Sequence, residues 1–222
     1  MVKKSLCVLS GGLDSTTATA MSINDGYDII ALHFSYNQLT QQRESEAFDN
    51  IVEYLKIENV YKIDLGFFNL IGSTALIDKS IKVPTGGLTD GVPATYVPFR
   101  NGIFLSIAAA IAEKEGASKI VLGAVEEDSS GYPDCRSNFI SSMQQSINLG
   151  TKDSTKITLH TPLIDLNKAQ IVQQALQIDA PLHLTWSCYQ NSSTACGVCD
   201  SCRLRLRGFE IAGVKDLIPY SK

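Results

Sequence analysis

Leu6-Cys7-Val8-Leu9 runs straight into Ser10-Gly11-Gly12-Leu13-Asp14-Ser15-Thr16-Thr17. An apolar run that stops at Ser-Gly-Gly reads as a buried parallel strand ending in a tight turn. Two glycines permit positive φ and let the backbone approach a ligand closely. Asp14, Ser15, Thr16 and Thr17 then open a helix that continues through Ala18, Ala20 and Met21 to Asn24. Free N–H groups at that helix start, with the neighbouring hydroxyls, form an anion site suited to phosphate or pyrophosphate. The spacing is neither the Gly-x4-Gly-Lys-Ser/Thr phosphate loop nor the Gly-x-Gly-x-x-Gly dinucleotide turn.

The pattern repeats outward from this junction. Asp28 to Phe34, Val60 to Ile63, Lys119 to Gly123 and Ile157 to Leu159 read as further strands, and Gln41 to Leu55, Asn101 to Gly116, Phe139 to Asn148, a segment from Asn167 to Leu176, and Asp200 to Ala212 as helices. Gly26 is the expected stop of the first helix. Gly72 to Thr95 is loop-rich, and so long a stretch inside a compact domain is usually functional. Alternating strands and helices predict an α/β fold: a single doubly wound, mainly parallel sheet with helices on both faces. Ligands of such sheets sit outside the carboxyl ends of the strands. Ser10, Tyr36 and Gly123, which all follow strand ends, should therefore share one crevice.

At 222 residues a single domain spanning 1–222 is expected. Its hydrophobic fraction of 44% and charged fraction of 19% allow a sizeable core. A net charge of −4 and a pI near 5.4 argue against extended nucleic-acid binding, leaving only a local basic patch at Arg203, Arg205 and Arg207. No run approaches the roughly 18 apolar residues of a membrane span, and the N-terminus carries no secretory pattern, so no membrane partner and a cytoplasmic location are expected.

Six cysteines are present, and Cys188, Cys196, Cys199 and Cys202 crowd together near the C-terminus. Four soft ligands suit tetrahedral Zn²⁺ and leave no open position. The expectation is one structural zinc per chain, held in a segment over 188–222, with Arg203 and Arg205 offsetting the thiolate charge. An iron–sulfur cluster is the alternative occupant. Cys7 should simply be buried, and His33, His160 and His183 show no partner pattern and read as structural.

Ser-Gly-Gly-x-Asp-Ser after the first strand resembles the pyrophosphate loop of the ATP-pyrophosphatase (adenine nucleotide alpha-hydrolase) superfamily. Further blocks narrow the resemblance: Tyr96-Val97-Pro98-Phe99-Arg100-Asn101, Ser130-Gly131-Tyr132-Pro133-Asp134-Cys135-Arg136, Thr161-Pro162-Leu163-Ile164-Asp165-Leu166, and the cysteine spacing. Together, over nearly the whole chain, they resemble the 7-cyano-7-deazaguanine synthase family of queuosine biosynthesis. Phe99 and Asn37 stand where that family commonly has glycine. Asn tolerates the left-handed region, whereas Phe does not adopt it cheaply.

The resemblance implies an ATP-dependent ligase that converts 7-carboxy-7-deazaguanine and ammonia to the nitrile. ATP would be held by Leu9, Ser10, Gly11, Gly12, Leu13, Asp14, Ser15, Thr16 and Thr17, with Mg²⁺ assisting. Asp14 and Arg100 would be catalytic, Asp14 toward Mg²⁺ and Arg100 neutralising phosphate or carboxylate charge. Tyr132, Asp134 and Arg136 would read the deazaguanine edge. The partners are then small molecules, with no nucleic acid, and a homodimer is left open. Two other functions compete: a tRNA sulfurtransferase or other tRNA-modifying member of the superfamily, and a non-enzymatic, zinc-stabilised nucleotide-binding module.

Overall fold

The structure is a computed structural model that describes residues 2–72, 74–85, 91–126 and 131–221. The glycines at 86 and 87 and Ser130 of the motifs above lie outside these residues. Five strands form one sheet in the order β3-β2-β1-β4-β5. They are β1 (Lys4–Val8), β2 (Asp28–Ser35), β3 (Asn59–Asp64), β4 (Lys119–Leu122) and β5 (Thr158–His160), and every pairing is parallel. The helices are α1 (Leu13–Asn24), α2 (Gln41–Tyr54), α3 (Phe68–Ile71), α4 (Arg100–Glu115), α5 (Ser137–Gly150), α6 (Lys168–Gln177) and α7 (Asp200–Ile211). All the expected strands and long helices are present, with ends shifted by at most two residues. The short α3 was not expected.

Both sheet faces are covered, and the alternation of side chains shows it. On β1, Leu6 and Val8 join Ile30, Leu32 and Phe34 of β2 in a cluster with Leu105 and Ala108 of α4 and Ile140 of α5. Cys7 and Leu9 instead face Ala18 of α1, Phe48 of α2, Ile171 of α6 and Phe209 of α7. A parallel strand buried on both faces must be apolar throughout, which is why β1 and β2 read as continuous runs.

The local stop signals act as expected. Gly26 takes φ +81° just past α1. Asn167 closes a capping box on α6: its side chain accepts from the Gln170 backbone N–H, and the Gln170 side chain accepts from its own. β1 is flanked by β2 on one side and β4 on the other, so the chain leaves it in opposite directions. This topological switch point opens a crevice at the carboxyl ends of the strands.

Candidate active site

A cleft of about 260 Å³ fills that crevice, and Ser10, Tyr36 and Gly123 all line it. The loop after β1 forms its floor. Gly12 is the N-cap of α1 and no side chain caps the helix start. The loop is held from inside: the Ser15 hydroxyl accepts from the Ser10 N–H at 3.1 Å and donates to the Gly12 carbonyl at 3.2 Å. Gly11 sits at φ +88°, where a Cβ would fall 2.7 Å from the Glu44 carbonyl oxygen. The end of β4 presses equally close, since a Cβ on Gly123 would lie 2.8 Å from the Asp14 carbonyl carbon and the Ser15 nitrogen. Strand and helix backbones are in direct contact, which fixes the direction in which the first turn of α1 points.

Not every loop residue faces the cleft. Leu9, Ser10, Gly12, Leu13, Asp14 and Ser15 line it. Thr16 and Thr17 are fully buried, and their hydroxyls donate to the Gly12 and Leu13 carbonyls within α1. The Asp14 carboxylate receives both of its hydrogen bonds from Lys168 at the start of α6, at 2.8 and 2.9 Å. Gly208 of α7 makes room for this pair, because a Cβ there would lie 2.6 Å from Lys168 Cγ.

Arg100 opens α4 on the opposite wall. Its guanidinium donates to the Tyr36 hydroxyl at 2.9 Å and lies over the Tyr36 and Phe104 rings, and its Nε has no partner. Burial opposes the charge, but the polar surroundings, Tyr36 and Asp134 among them, outweigh it and hold Arg100 protonated. Burial pushes the Tyr36 hydroxyl upward, so it stays neutral and can donate in turn. His33 lies beneath the loop. Its Nδ1 is 3.1 Å from the Leu9 carbonyl, and burial lowers its pKa, consistent with a neutral structural ring.

The three residues of the Tyr132–Arg136 block are placed differently. Tyr132 lines the cleft, with its hydroxyl bonded to Thr95. Asp134 is buried against the start of α4, where Oδ2 accepts the Asn101 N–H at 2.9 Å. Arg136 is exposed at the N-cap of α5.

The cysteine segment supplies the remaining wall through Trp186, Ser187, Tyr189 and Ser201. Trp186 is clamped to the loop, since its N–H donates to the Gly11 carbonyl at 2.8 Å. The sulfurs of Cys188, Cys196, Cys199 and Cys202 all lie within 4.8 Å of one another. A tetrahedron with Zn–S bonds of ~2.3 Å has edges of ~3.8 Å, so the cluster fits a tetrahedral ion. Backbone N–H groups of Asn191 and Cys196 point at Cys188 Sγ, each at 3.3 Å, and that of Cys199 at Cys196 Sγ, also at 3.3 Å. Such donors favour thiolates. Proton sharing with Cys199 and Cys202 drives Cys188 far down.

A sequence profile described as "Queuosine biosynthesis protein QueC" matches residues 4–213. The chain belongs to the QueC family. The 7-cyano-7-deazaguanine synthase of Sulfurovum sp. (strain NBC37-1) is 61% identical over 222 residues, all of both chains. That of Nautilia profundicola is 58% identical over 221 residues, again all of both. Among solved structures, NMN synthetase from Francisella tularensis superposes with a TM-score of 0.52 at 16% identity, covering 96% of this chain and 79% of that one. A 4-thiouridine synthetase bound to RNA and ATP gives 0.50 at 18% identity, over 95% of this chain and 50% of that one. At such identities these two share the fold alone.

The family's usual glycines now have a physical reason. Asn37 adopts φ +61° and Phe99 adopts φ +54°. Both replacements keep the left-handed backbone. Phe99 does so with its ring laid over Gly102, where a Cβ would fall 2.3 Å from Phe99 Cε1, and edge-on to Phe139. Its N–H donates to the Tyr96 hydroxyl at 2.9 Å.

One expectation is overturned. Arg205 forms no exposed basic patch with its neighbours, because its guanidinium is committed to Asp216. Arg205 is 1% exposed. It donates to both oxygens of Asp216, at 2.6 and 3.0 Å, and to Thr185, Ser187 and the Leu182 carbonyl. All five of its donors are thereby used, as burial of a guanidinium requires. Arg203 donates to the Thr85 carbonyl at 3.1 Å. The sequence reading also missed Lys168. Its one local signal was Gly208 inside α7, since a glycine within a helix points to a close approach.

Proposed function

We propose that this chain converts 7-carboxy-7-deazaguanine and ammonia to 7-cyano-7-deazaguanine at the expense of ATP. One observation carries the reading. An uncapped helix start, Arg100 and a Tyr132 wall meet in a single cleft, with Lys168 lining the adjoining lobe, in a chain that aligns end to end with 7-cyano-7-deazaguanine synthases.

A carboxylate is a poor electrophile, because oxide is a poor leaving group. The loop N–H groups and Ser10 would hold the ATP phosphates. Arg100 and Lys168 would neutralise charge while a carboxylate oxygen displaces pyrophosphate from the α-phosphorus. Ammonia then displaces AMP from the acyl adenylate and gives the amide. A second adenylation, on the amide oxygen, allows AMP to leave with the loss of two protons, which yields the nitrile. The cleft supplies positioning for both rounds.

Zinc is the ion we assign to the four cysteines, with no place in the chemistry because four sulfurs close its coordination shell. Mg²⁺ would enter with the nucleotide. Asp14 is the loop carboxylate for it, and Lys168 would then exchange Asp14 for phosphate. The whole chain would act as one domain in the cytoplasm, with free ammonia as the nitrogen source.

The test is mass spectrometry of products after incubation with ATP, ammonium and 7-carboxy-7-deazaguanine. The expected result is the nitrile, with a transient amide and AMP. Thiolation of a tRNA base with the free acid ignored would overturn the reading in favour of a sulfurtransferase. ATP binding without any turnover would leave only a nucleotide-binding module.

A further inference from the structure

A second lobe of about 100 Å³ shares walls with the main cleft, including Asp14, Tyr132 and Tyr189, and Asp200 lines it. Asp200 is the first residue of α7, next to Cys199. Its Oδ1 is buried and has no hydrogen-bond partner among the described residues. The other acids around the two lobes are engaged: Asp14 by Lys168, and Glu44 by Gln38 and Thr40. A buried carboxylate oxygen without a donor is costly, so it marks a place where a ligand supplies one.

We propose that Asp200 is the residue that reads the substrate's guanine-like edge. The inference rests on the function proposed above. An ionised carboxylate only accepts hydrogen bonds. A deazaguanine ring presents adjacent donors, the ring N–H and the exocyclic amine, which one carboxylate can accept together. Tyr132 and Tyr189 line both lobes and offer aromatic surface to a planar ring. The sequence had suggested Asp134 for this task. Asp134 lines neither lobe and spends Oδ2 on the start of α4.

The test compares two substrates on the full-length, metal-loaded protein: 7-carboxy-7-deazaguanine and its analogue lacking the exocyclic amine. A site built to bond an edge discriminates by ~10⁴ or more against a substrate that leaves its polar groups unpaired. In the wild type the analogue should therefore react far more slowly. Asp200→Asn should lose about 100-fold or more in kcat/KM for the true substrate, mainly through KM, and change little for the analogue, so that discrimination collapses. Asp200→Ser, which also suits a helix start, should behave alike. Zinc content and melting temperature should stay at wild-type values for at least one of the two.

Variants that lose both substrates equally, or that keep wild-type discrimination, would overturn the assignment. So would loss of zinc in both variants, because Asp200 would then act through the metal segment. No turnover of either substrate by the wild type would instead refute the proposed function, and the assignment with it.

Discussion

Replacing Gly123 by alanine tests how the loop after β1, the proposed phosphate site, is aimed. The new Cβ would sit 2.8 Å from the Asp14 carbonyl carbon and from the Ser15 nitrogen. That is ~0.6 Å inside ordinary contact, and both neighbours are backbone, so no side-chain rotation relieves it. The first turn of α1 must move off the end of β4. Overpacking of this kind costs roughly 1–3 kcal/mol. At ~2–4 °C per kcal/mol for a chain of this size, the melting temperature should fall by roughly 2–12 °C. A shift approaching 1 Å at a positioning group costs up to ~100-fold, so ATP-dependent turnover should drop roughly 10- to 100-fold. Thermal unfolding and pyrophosphate release measure the two effects. Gly150→Ala is the control, because nothing lies within 4 Å of its Cβ. Gly123→Ala matching that control in stability and turnover would refute the idea that strand-to-helix contact aims the loop.

Two further changes separate other contributions. Cys199→Ser, or prolonged chelation, should remove the metal and lower stability sharply, and nucleotide affinity should fall with it because Trp186 braces Gly11; elemental analysis, thermal unfolding and ATP titration check all three, and iron in place of zinc would identify the other occupant. Phe99→Gly should be more stable than Phe99→Ala by ~1–2 kcal/mol, since both lose the ring but only glycine relieves the left-handed backbone, and urea unfolding of the pair reads the difference.

The sheet was legible because its signal is local. Doubly buried strands such as β1 and β2 read as apolar runs, and Gly26 and Asn167 mark helix ends by their own chemistry. The Ser-Gly-Gly turn into α1 was legible for the same reason: glycines, hydroxyls and a helix start lie within a few residues. The cysteine quartet was legible by spacing alone. What escaped was pairing across the chain. Lys168 meets Asp14, Asp216 meets Arg205 and Trp186 meets Gly11 through the folding of separate segments, and no local periodicity encodes such meetings. Asp134 shows the reverse problem. A motif can bring an acid to the neighbourhood of a site while its oxygen is taken by a helix start.

The backbone bond from Trp186 to Gly11 joins segments that lie far apart in the sequence. During synthesis the Ser-Gly-Gly turn emerges well before the segment that braces it. A nascent chain therefore lacks one wall of the cleft until residues 186–201 have emerged and the cysteines have gathered. Closing so long a loop is slow and comes late in folding. Metal capture by the four cysteines would then act as a check on the cleft: copies that stop before Cys202 or lack the metal should bind ATP poorly and not consume it idly.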